Sequence, residues 1–218
     1  MLEQLGHRHW WPAETSFEVA VGAILTQNTA WRNVDMALDK LRALNALSPR
    51  AMRDLGLEAL ADAVRSSGYY RQKAGKLWTL LDFLQERGGL SGDASDNDLA
   101  CLAGEDTDSL RGQLLSLRGV GPETADCILL YGLSRPSFVV DAYTRRILGR
   151  HGLVPEDVDY HELQAYFMDA LPPDEEGAVE LYNDYHAQLV RIGHRFCKKG
   201  KPECGECPLA AFLDYEPV

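Results

Sequence analysis

The sequence contains no run of about 18 apolar residues, so it offers no transmembrane helix. No positively charged segment followed by an apolar stretch opens the chain, and we expect a soluble cytoplasmic protein without a targeting segment. Cysteine is scarce, with five residues in 218, and three of them lie together near the C-terminal end. That distribution argues against a secreted disulfide framework and favours a metal site.

Positive charge is also in the minority, with 22 lysines and arginines against 33 acidic residues and a net charge of −11. This excess argues against binding nucleic acid through overall charge alone. The charges are segregated, however, because residues 185–202 include five basic residues and no acidic one. Such a segment is either a solvated end or a surface that contacts phosphates.

The apolar residues recur at helical spacing, as at Leu77, Leu80, Leu81 and Leu84. We find no internal repeat and no convincing strand pattern. A chain of this length forms one large or two small domains, and its 45% hydrophobic content is enough for a core. The pattern therefore predicts an all-α protein.

The segment 114–146, LLSLRGVGPETADCILLYGLSRPSFVVDAYTRR, organises the chain. Gly119, Val120 and Gly121 separate two helical patterns, and Pro122 suits the first position of the second helix. The N–H groups at that helix start, with the positive end of the helix dipole, suit a phosphate. Taken alone, a Gly-Val-Gly turn between helices is more often structural.

LRGVGPETA followed by VVDAYTRR resembles the helix-hairpin-helix and catalytic aspartate of the endonuclease III superfamily of DNA glycosylases. The resemblance extends from about Trp10 to Leu209, and WWP followed by FEVAVGAILTQNTAW resembles the branch that releases 3-methyladenine. It implies a two-lobed all-α fold with DNA entering the cleft. A six-helix barrel domain would span 24–136, with the hairpin at about 110–133. The second helical domain would combine 1–23 with 137–218.

Asp141 is the catalytic residue that the resemblance implies, and it would sit at the mouth between the lobes. Breaking a base from deoxyribose develops positive charge on the sugar, which a buried carboxylate stabilises while it orients or deprotonates water. The alternative is that Asp141 caps the helix beginning at Ala142. Both roles are compatible, because a cap would fix the carboxylate.

Glu123 occupies the position at which lyase members of the family place a lysine that forms a Schiff base with the sugar. A carboxylate cannot form an imine, and no lysine lies between Lys76 and Lys198. We therefore expect a monofunctional glycosylase that leaves the abasic site uncut. An N-alkylated purine such as 3-methyladenine is already cationic and a good leaving group, which makes it the expected substrate.

A flipped base needs aromatic faces around it, and a cationic base gains cation–π attraction. The predicted base pocket comprises Trp10, Trp11, Gln27, Tyr69 and Tyr70. The alternatives are that the tryptophans form a lid on the core and that Gln27 caps a helix. The predicted DNA contacts are Gly119, Val120, Gly121, Thr124, Lys73, Arg145, Lys198 and Lys199.

Cys197, Cys204 and Cys207 match the first three ligands of the iron–sulfur loop of the family, but Leu213 stands at the fourth position. Cubane clusters normally take four thiolates. Three outcomes are open: a 4Fe–4S cluster with an outside ligand such as Asp214 or water, zinc on three thiolates, or an empty loop held by packing.

The expected partner is double-stranded DNA that contains a damaged base. We expect the protein to act as a monomer and to have no membrane partner. One alternative is another monofunctional specificity, such as adenine or thymine in a mismatch. A second is a glycosylase with AP lyase activity that acts on oxidised pyrimidines. A third, of another class, is a DNA-binding module that has lost catalysis.

Overall fold

The computed structural model describes residues 1–7, 10–90, 99–155, 157–171 and 177–213. These residues form helices and connecting turns, with no strand among them, which confirms the predicted all-α class. The chain divides into two compact units, one made of residues 11–135 and the other of 1–10 with 136–218. None of the helices in the described ranges is long and apolar enough to cross a bilayer.

The eleven α-helices of the described residues are α1 (Leu2–Leu5), α2 (Ser16–Leu25), α3 (Trp31–Ala43), α4 (Pro49–Leu55), α5 (Leu57–Ala63), α6 (Tyr70–Gln85), α7 (Thr107–Ser116), α8 (Pro122–Cys127), α9 (Ala142–Arg150), α10 (Tyr160–Ala170) and α11 (Ala178–Arg195). Short 3-10 turns lie at Arg65–Ser67, Ala100–Leu102, Cys204–Glu206 and Ala210–Phe212. Helix α8 continues as a π turn over Ile128–Gly132.

Helix α2 is the core of the unit formed by residues 11–135. Thr15 caps it by accepting a hydrogen bond from the Glu18 N–H at 3.1 Å, and every residue after Ser16 is buried. The helix packs against α3, α6, α8 and the π turn. The sequence-based boundary between residues 23 and 24 falls inside this helix. The compact units divide between Trp10 and Trp11 instead, because all of α2 packs within one unit.

Helices α7 and α8 form the predicted hairpin. Asp106 caps α7 through the Ser109 N–H at 3.0 Å. The guanidinium of Arg111 holds the fully buried carboxylate of Asp126 through two hydrogen bonds of 2.7 and 2.9 Å. This two-point contact joins the helices and fixes the turn between them.

The other unit is built on α9 and α11. Gly193 of α11 lies so close to the ring of Tyr143 on α9 that any side chain at residue 193 would overlap it. Phe138 stacks on Phe167 with ring centroids 4.1 Å apart. The N-terminal segment is attached to α11 through side-chain hydrogen bonds to backbone carbonyls, with Gln188 donating to Gly6. The α9–α11 pair therefore sets the positions of the side chains described next.

Candidate active site

Asp141 is the N-cap of α9. Its Oδ1 accepts hydrogen bonds from the Thr144 backbone N–H at 2.7 Å and from the Thr144 hydroxyl at 2.8 Å. Only 12% of the Asp141 side chain is exposed, and Thr144 is fully buried. The capping geometry is therefore present, and it fixes the position of the carboxylate.

His186 of α11 lies on the other side of this carboxylate. Its Nε2 is 3.8 Å from Asp141 Oδ2, and 5% of its side chain is exposed. Neither Thr144 nor His186 was among the site residues predicted from the sequence. The spacing of Thr144, three residues after a capping aspartate, was a usable signal. No local pattern pairs residue 141 with residue 186, because the contact depends on how α9 packs on α11.

These neighbours decide the charge of Asp141. Burial raises the pKa of its carboxyl, but the adjacent His186 imidazole and the two hydrogen bonds from Thr144 outweigh burial and hold the pKa below its usual value. The group is therefore an anion in a site with little water. Such an anion can stabilise a neighbouring positive charge and can orient a water molecule.

The hairpin turn gathers a second group of side chains. Gly119 has a φ of +92°, and a Cβ at that position would lie 2.5 Å from Cγ of Lys76. Gln27 Nε2 donates to the Gly119 carbonyl at 3.1 Å and to the Thr124 hydroxyl at 2.9 Å. The Lys76 ammonium donates to Gln27 Oε1. Because a lysine can only donate, this contact fixes the orientation of the amide.

Lys73 does not lie on the surface where the sequence predicted a phosphate contact. Its side chain is 2% exposed, and Nζ donates to the Leu25 carbonyl at 2.8 Å and to the Ser67 carbonyl at 2.6 Å. Burial, with the nearby charge of Lys76, lowers the pKa of Lys73 to about 8. A phosphate contact would break both hydrogen bonds, so the structure corrects this prediction.

Two predicted DNA contacts in the hairpin also have inward side chains. Val120 is buried, and Thr124 is buried with its hydroxyl accepting from Gln27. Any contact with DNA at these positions would use the backbone. Gly119 is exposed, and Gly121 is half-buried with an extended φ of −98°. The two glycines remain the accessible part of the turn.

The predicted aromatic residues lie in different surroundings. Trp11 packs edge-on to Trp31 at 5.1 Å and against Tyr131 at 5.2 Å, and a Cβ on Gly22 would lie 3.3 Å from its ring. This contact with the core agrees with the lid interpretation of Trp11. Trp10 belongs to the other compact unit and is half-buried.

Tyr69 is the N-cap of helix α6, and Tyr70 is the first residue of that helix. The side chain of Tyr69 is 70% exposed. Its backbone has a φ of +45°, a conformation that residues other than glycine rarely adopt. Tyr70 is half-buried, and the Arg65 guanidinium lies 4.9 Å from its ring centroid. Tyr69 is therefore the more accessible of the two aromatic faces.

The cysteine loop is held by two arginines of α9. Arg146 donates to the Cys197 carbonyl at 2.7 Å, and Arg150 donates to the carbonyls of Lys198 at 2.7 Å and Lys199 at 2.9 Å. Arg150 Nη1 also lies 3.3 Å from Cys197 Sγ. Of the predicted phosphate contacts here, Lys199 is exposed and Arg145 is half-buried. Lys198 is exposed and pairs with Glu203 at 2.6 Å.

Three thiols, those of Cys197, Cys204 and Cys207, line one cavity of about 20 Å³ together with Leu213. Burial raises the pKa of the Cys207 thiol, which favours its protonated form. Within the described ranges, no three His, Cys, Asp or Glu side chains are placed to hold a metal ion. The donor set lacks the fourth thiolate of a cubane cluster, so the residues present do not fit that group. Asp214, a predicted outside ligand, falls outside the described residues.

Comparison with known proteins gives consistent matches. Residues 21–173 match the family described as HhH-GPD superfamily base excision DNA repair protein. MJ1434 of Methanocaldococcus jannaschii, which is named as a candidate DNA repair glycosylase, is 42% identical over 97% of this chain and 91% of its own.

Solved structures give the same fold. The H. pylori 3-methyladenine DNA glycosylase bound to 1,N6-ethenoadenine superposes with a TM-score of 0.70 at 30% identity, over 85% of this chain and 88% of the other. A trapped endonuclease III–DNA covalent intermediate superposes with a TM-score of 0.77 at 22% identity, over 98% and 90%. The second match bears on the fold alone.

Proposed function

Because the chain belongs to the HhH-GPD superfamily of base excision DNA repair proteins, we propose that it is a monofunctional DNA N-glycosylase with Asp141 as its catalytic residue. The observation that carries the proposal is the buried Asp141 carboxylate, held ionised at the start of α9 by Thr144 and His186. An anion in a site with little water is the group that a developing sugar cation requires.

The reaction follows from this placement. The bond between C1′ and the base nitrogen breaks, and its electron pair leaves with the base. The Asp141 carboxylate stabilises the positive charge left on the sugar. Water then adds to C1′ and gives up a proton, for which the carboxylate is the acceptor. Thr144 orients the carboxylate throughout, because it binds Oδ1 through both its backbone and its hydroxyl.

The chemistry of the hairpin supports the absence of lyase activity. Glu123 is exposed at the position of the family lysine. The two lysines nearest in sequence before the hairpin are both engaged, Lys73 with two carbonyls and Lys76 with Gln27. No lysine lies between residues 77 and 197. A Schiff base with the sugar has no amine in this segment from which to form.

For the substrate, we propose an N-alkylated purine such as 3-methyladenine. The 30% identity to the H. pylori 3-methyladenine enzyme supports this choice. A cationic base leaves readily and needs little help from an acid, which suits a site with one carboxylate. An exposed aromatic side chain such as Tyr69 can stack on a base, which contributes about 1–3 kcal/mol per aromatic.

The test is a panel of duplexes, each carrying one alkylated purine, one oxidised pyrimidine or one G·T mismatch. Base release is scored by alkaline cleavage, strand nicking is scored without alkali, and covalent adducts are trapped with borohydride. We expect release from the alkylated duplex, no nicking and no adduct. A trapped adduct would contradict the monofunctional proposal. Binding without release from any duplex would identify a DNA-binding module instead.

Metal analysis of the purified protein decides the state of the cysteine loop. Four irons with four sulfides per chain would indicate a cluster with an outside ligand, and one zinc would indicate a three-thiolate zinc site. The absence of both iron and zinc would indicate a loop held by Arg146 and Arg150 alone. No step of the proposed reaction passes through this loop.

A further inference from the structure

The two oxygens of Asp141 have different neighbours. Oδ1 is fixed by two hydrogen bonds from Thr144, whereas Oδ2 faces His186 Nε2 at 3.8 Å. The imidazole is almost fully buried. Its distance from the carboxylate is set by the packing of α9 on α11, where Gly193 lies directly against the ring of Tyr143.

We infer that His186 is a positioning residue for the proposed reaction, one that directs an Nε2–H donor at Asp141 Oδ2 and thereby keeps this buried carboxylate ionised. The inference rests on the proposed function for its effect on rate, but its effect on the ionisation of Asp141 is independent of that function. A rotation of the imidazole that shortens 3.8 Å to about 3 Å forms the hydrogen bond.

The polar side chains that neighbour His186 around Asp141 form their hydrogen bonds with atoms other than Asp141 Oδ2. On α9, the hydroxyl and N–H of Thr144 bind Oδ1 only, and the Arg146 guanidinium donates to the carbonyls of Cys197 and Gly193. From α10, the Tyr160 hydroxyl accepts from the Val140 N–H at 3.4 Å.

On α11, His186 is a titratable group that interacts with the Asp141 carboxylate. Burial opposes the charged form of Asp141, and the nearby His186 imidazole favours it. If the His186 donor were removed, the hydrogen bonds from Thr144 would be left to oppose the effect of burial on the Asp141 pKa. The pKa of Asp141 would then rise, and a smaller fraction of Asp141 would be ionised at a given acidic pH.

The experiment measures the ionisation of Asp141 directly. Protein labelled with 13C at the aspartate carboxyls is titrated by NMR, and the Asp141 signal is assigned by its loss in Asp141→Asn. The compared variants are His186→Phe, which keeps a ring but has no donor, and His186→Gln, which keeps an N–H donor. Single-turnover base release is measured over the same pH range for each protein.

We expect His186→Phe to raise the Asp141 titration midpoint by about one pH unit, which is a tenfold change in ionisation equilibrium. The acidic limb of its release rate should move by the same amount, and His186→Gln should restore both toward wild type. If His186→Phe does not fold, His186→Ala provides the same loss of the donor without added volume.

An unchanged Asp141 titration in the donor-free variants would overturn the inference, even if their rates fell uniformly at every pH, because that result describes packing alone. If the wild type released no base while the titration shifted, the proposed function would fail and the ionising role of His186 would stand. If release were normal and the titration unmoved, the inference alone would fail.

Discussion

Asp141 and Lys73 are two buried charged side chains, one in each compact unit, and their surroundings have opposite effects. Asp141 is 12% exposed and Lys73 is 2% exposed. Burial acts against the charge of both groups. For Asp141, His186 and Thr144 outweigh burial and lower the pKa, so the charged form is favoured. For Lys73, neutral carbonyls and the like charge of Lys76 leave burial dominant, and the pKa falls to about 8.

The difference shows that burial alone does not identify a functional charge. Both residues lie in segments that resemble the family, and the resemblance implied a role at the DNA for each of them. The two residues differ in their bonding partners. Thr144 and His186 stabilise the anionic form of Asp141, whereas the Lys73 ammonium links the end of α2 to the turn at Ser67. We therefore expect Asp141 to control chemistry and Lys73 to control stability.

The largest expected effect is on catalysis. Asp141→Ala should lower single-turnover base release at least ~100-fold, because removing electrostatic stabilisation of a transition state commonly has that effect. Lys73→Met should change release only a few-fold, since its ammonium binds two carbonyls. Equal losses in the two variants, each verified as folded by circular dichroism, would remove the distinction.

The second prediction concerns how the free energy of unfolding depends on Lys73 at alkaline pH. The folded pKa of Lys73 is about 8 and its ordinary value is 10.5, so the unfolded chain binds more protons between these values and stability rises with pH. Urea unfolding at pH 7.5 and pH 10.5 should show wild type gaining about 2–3 kcal/mol relative to Lys73→Met. Lys199→Met, at an exposed position, is the control and should show no such gain.

Removing one donor from Asp141 should have a smaller effect on rate. Thr144→Val keeps the backbone N–H bond but loses the hydroxyl bond of 2.8 Å. A hydrogen bond to a charged group contributes about 1.5–3 kcal/mol, and part of it is recovered by relaxation, so we expect a loss of about tenfold in single-turnover release. Thr144→Ser retains the hydroxyl and should keep most of the activity. A Val variant as active as the Ser variant would contradict the role of Oδ1.

The smallest expected effect is on acid stability. The lowered pKa of Asp141 contributes stability that is present above its unfolded value near 3.8 and is lost as pH falls through the folded pKa. Asp141→Asn should therefore lose less stability than wild type between pH 5 and pH 2. Parallel acid unfolding curves for the two proteins would contradict the direction of the shift.

The sequence was sufficient to predict the helical class, the hairpin and the capping role of Asp141. It also held a signal for the burial of Lys73, which precedes Leu77 by four residues and so lies on the apolar face of α6. The motif resemblance outweighed that periodicity. His186 similarly follows Tyr182 by four residues, which predicts a buried position. Its pairing with Asp141 could not be predicted, because it depends on the packing of two helices distant in sequence.

The most direct test of the central claim is base release from alkylated duplex DNA by wild type beside Asp141→Asn, with strand nicking scored separately. Asparagine keeps an oxygen that can cap α9, so the fold is preserved while the negative charge is lost. We predict release without nicking by the wild type and at least ~100-fold slower release by the folded variant. Release by Asp141→Asn at the wild-type rate would contradict the claim that the buried carboxylate of Asp141 performs the chemistry.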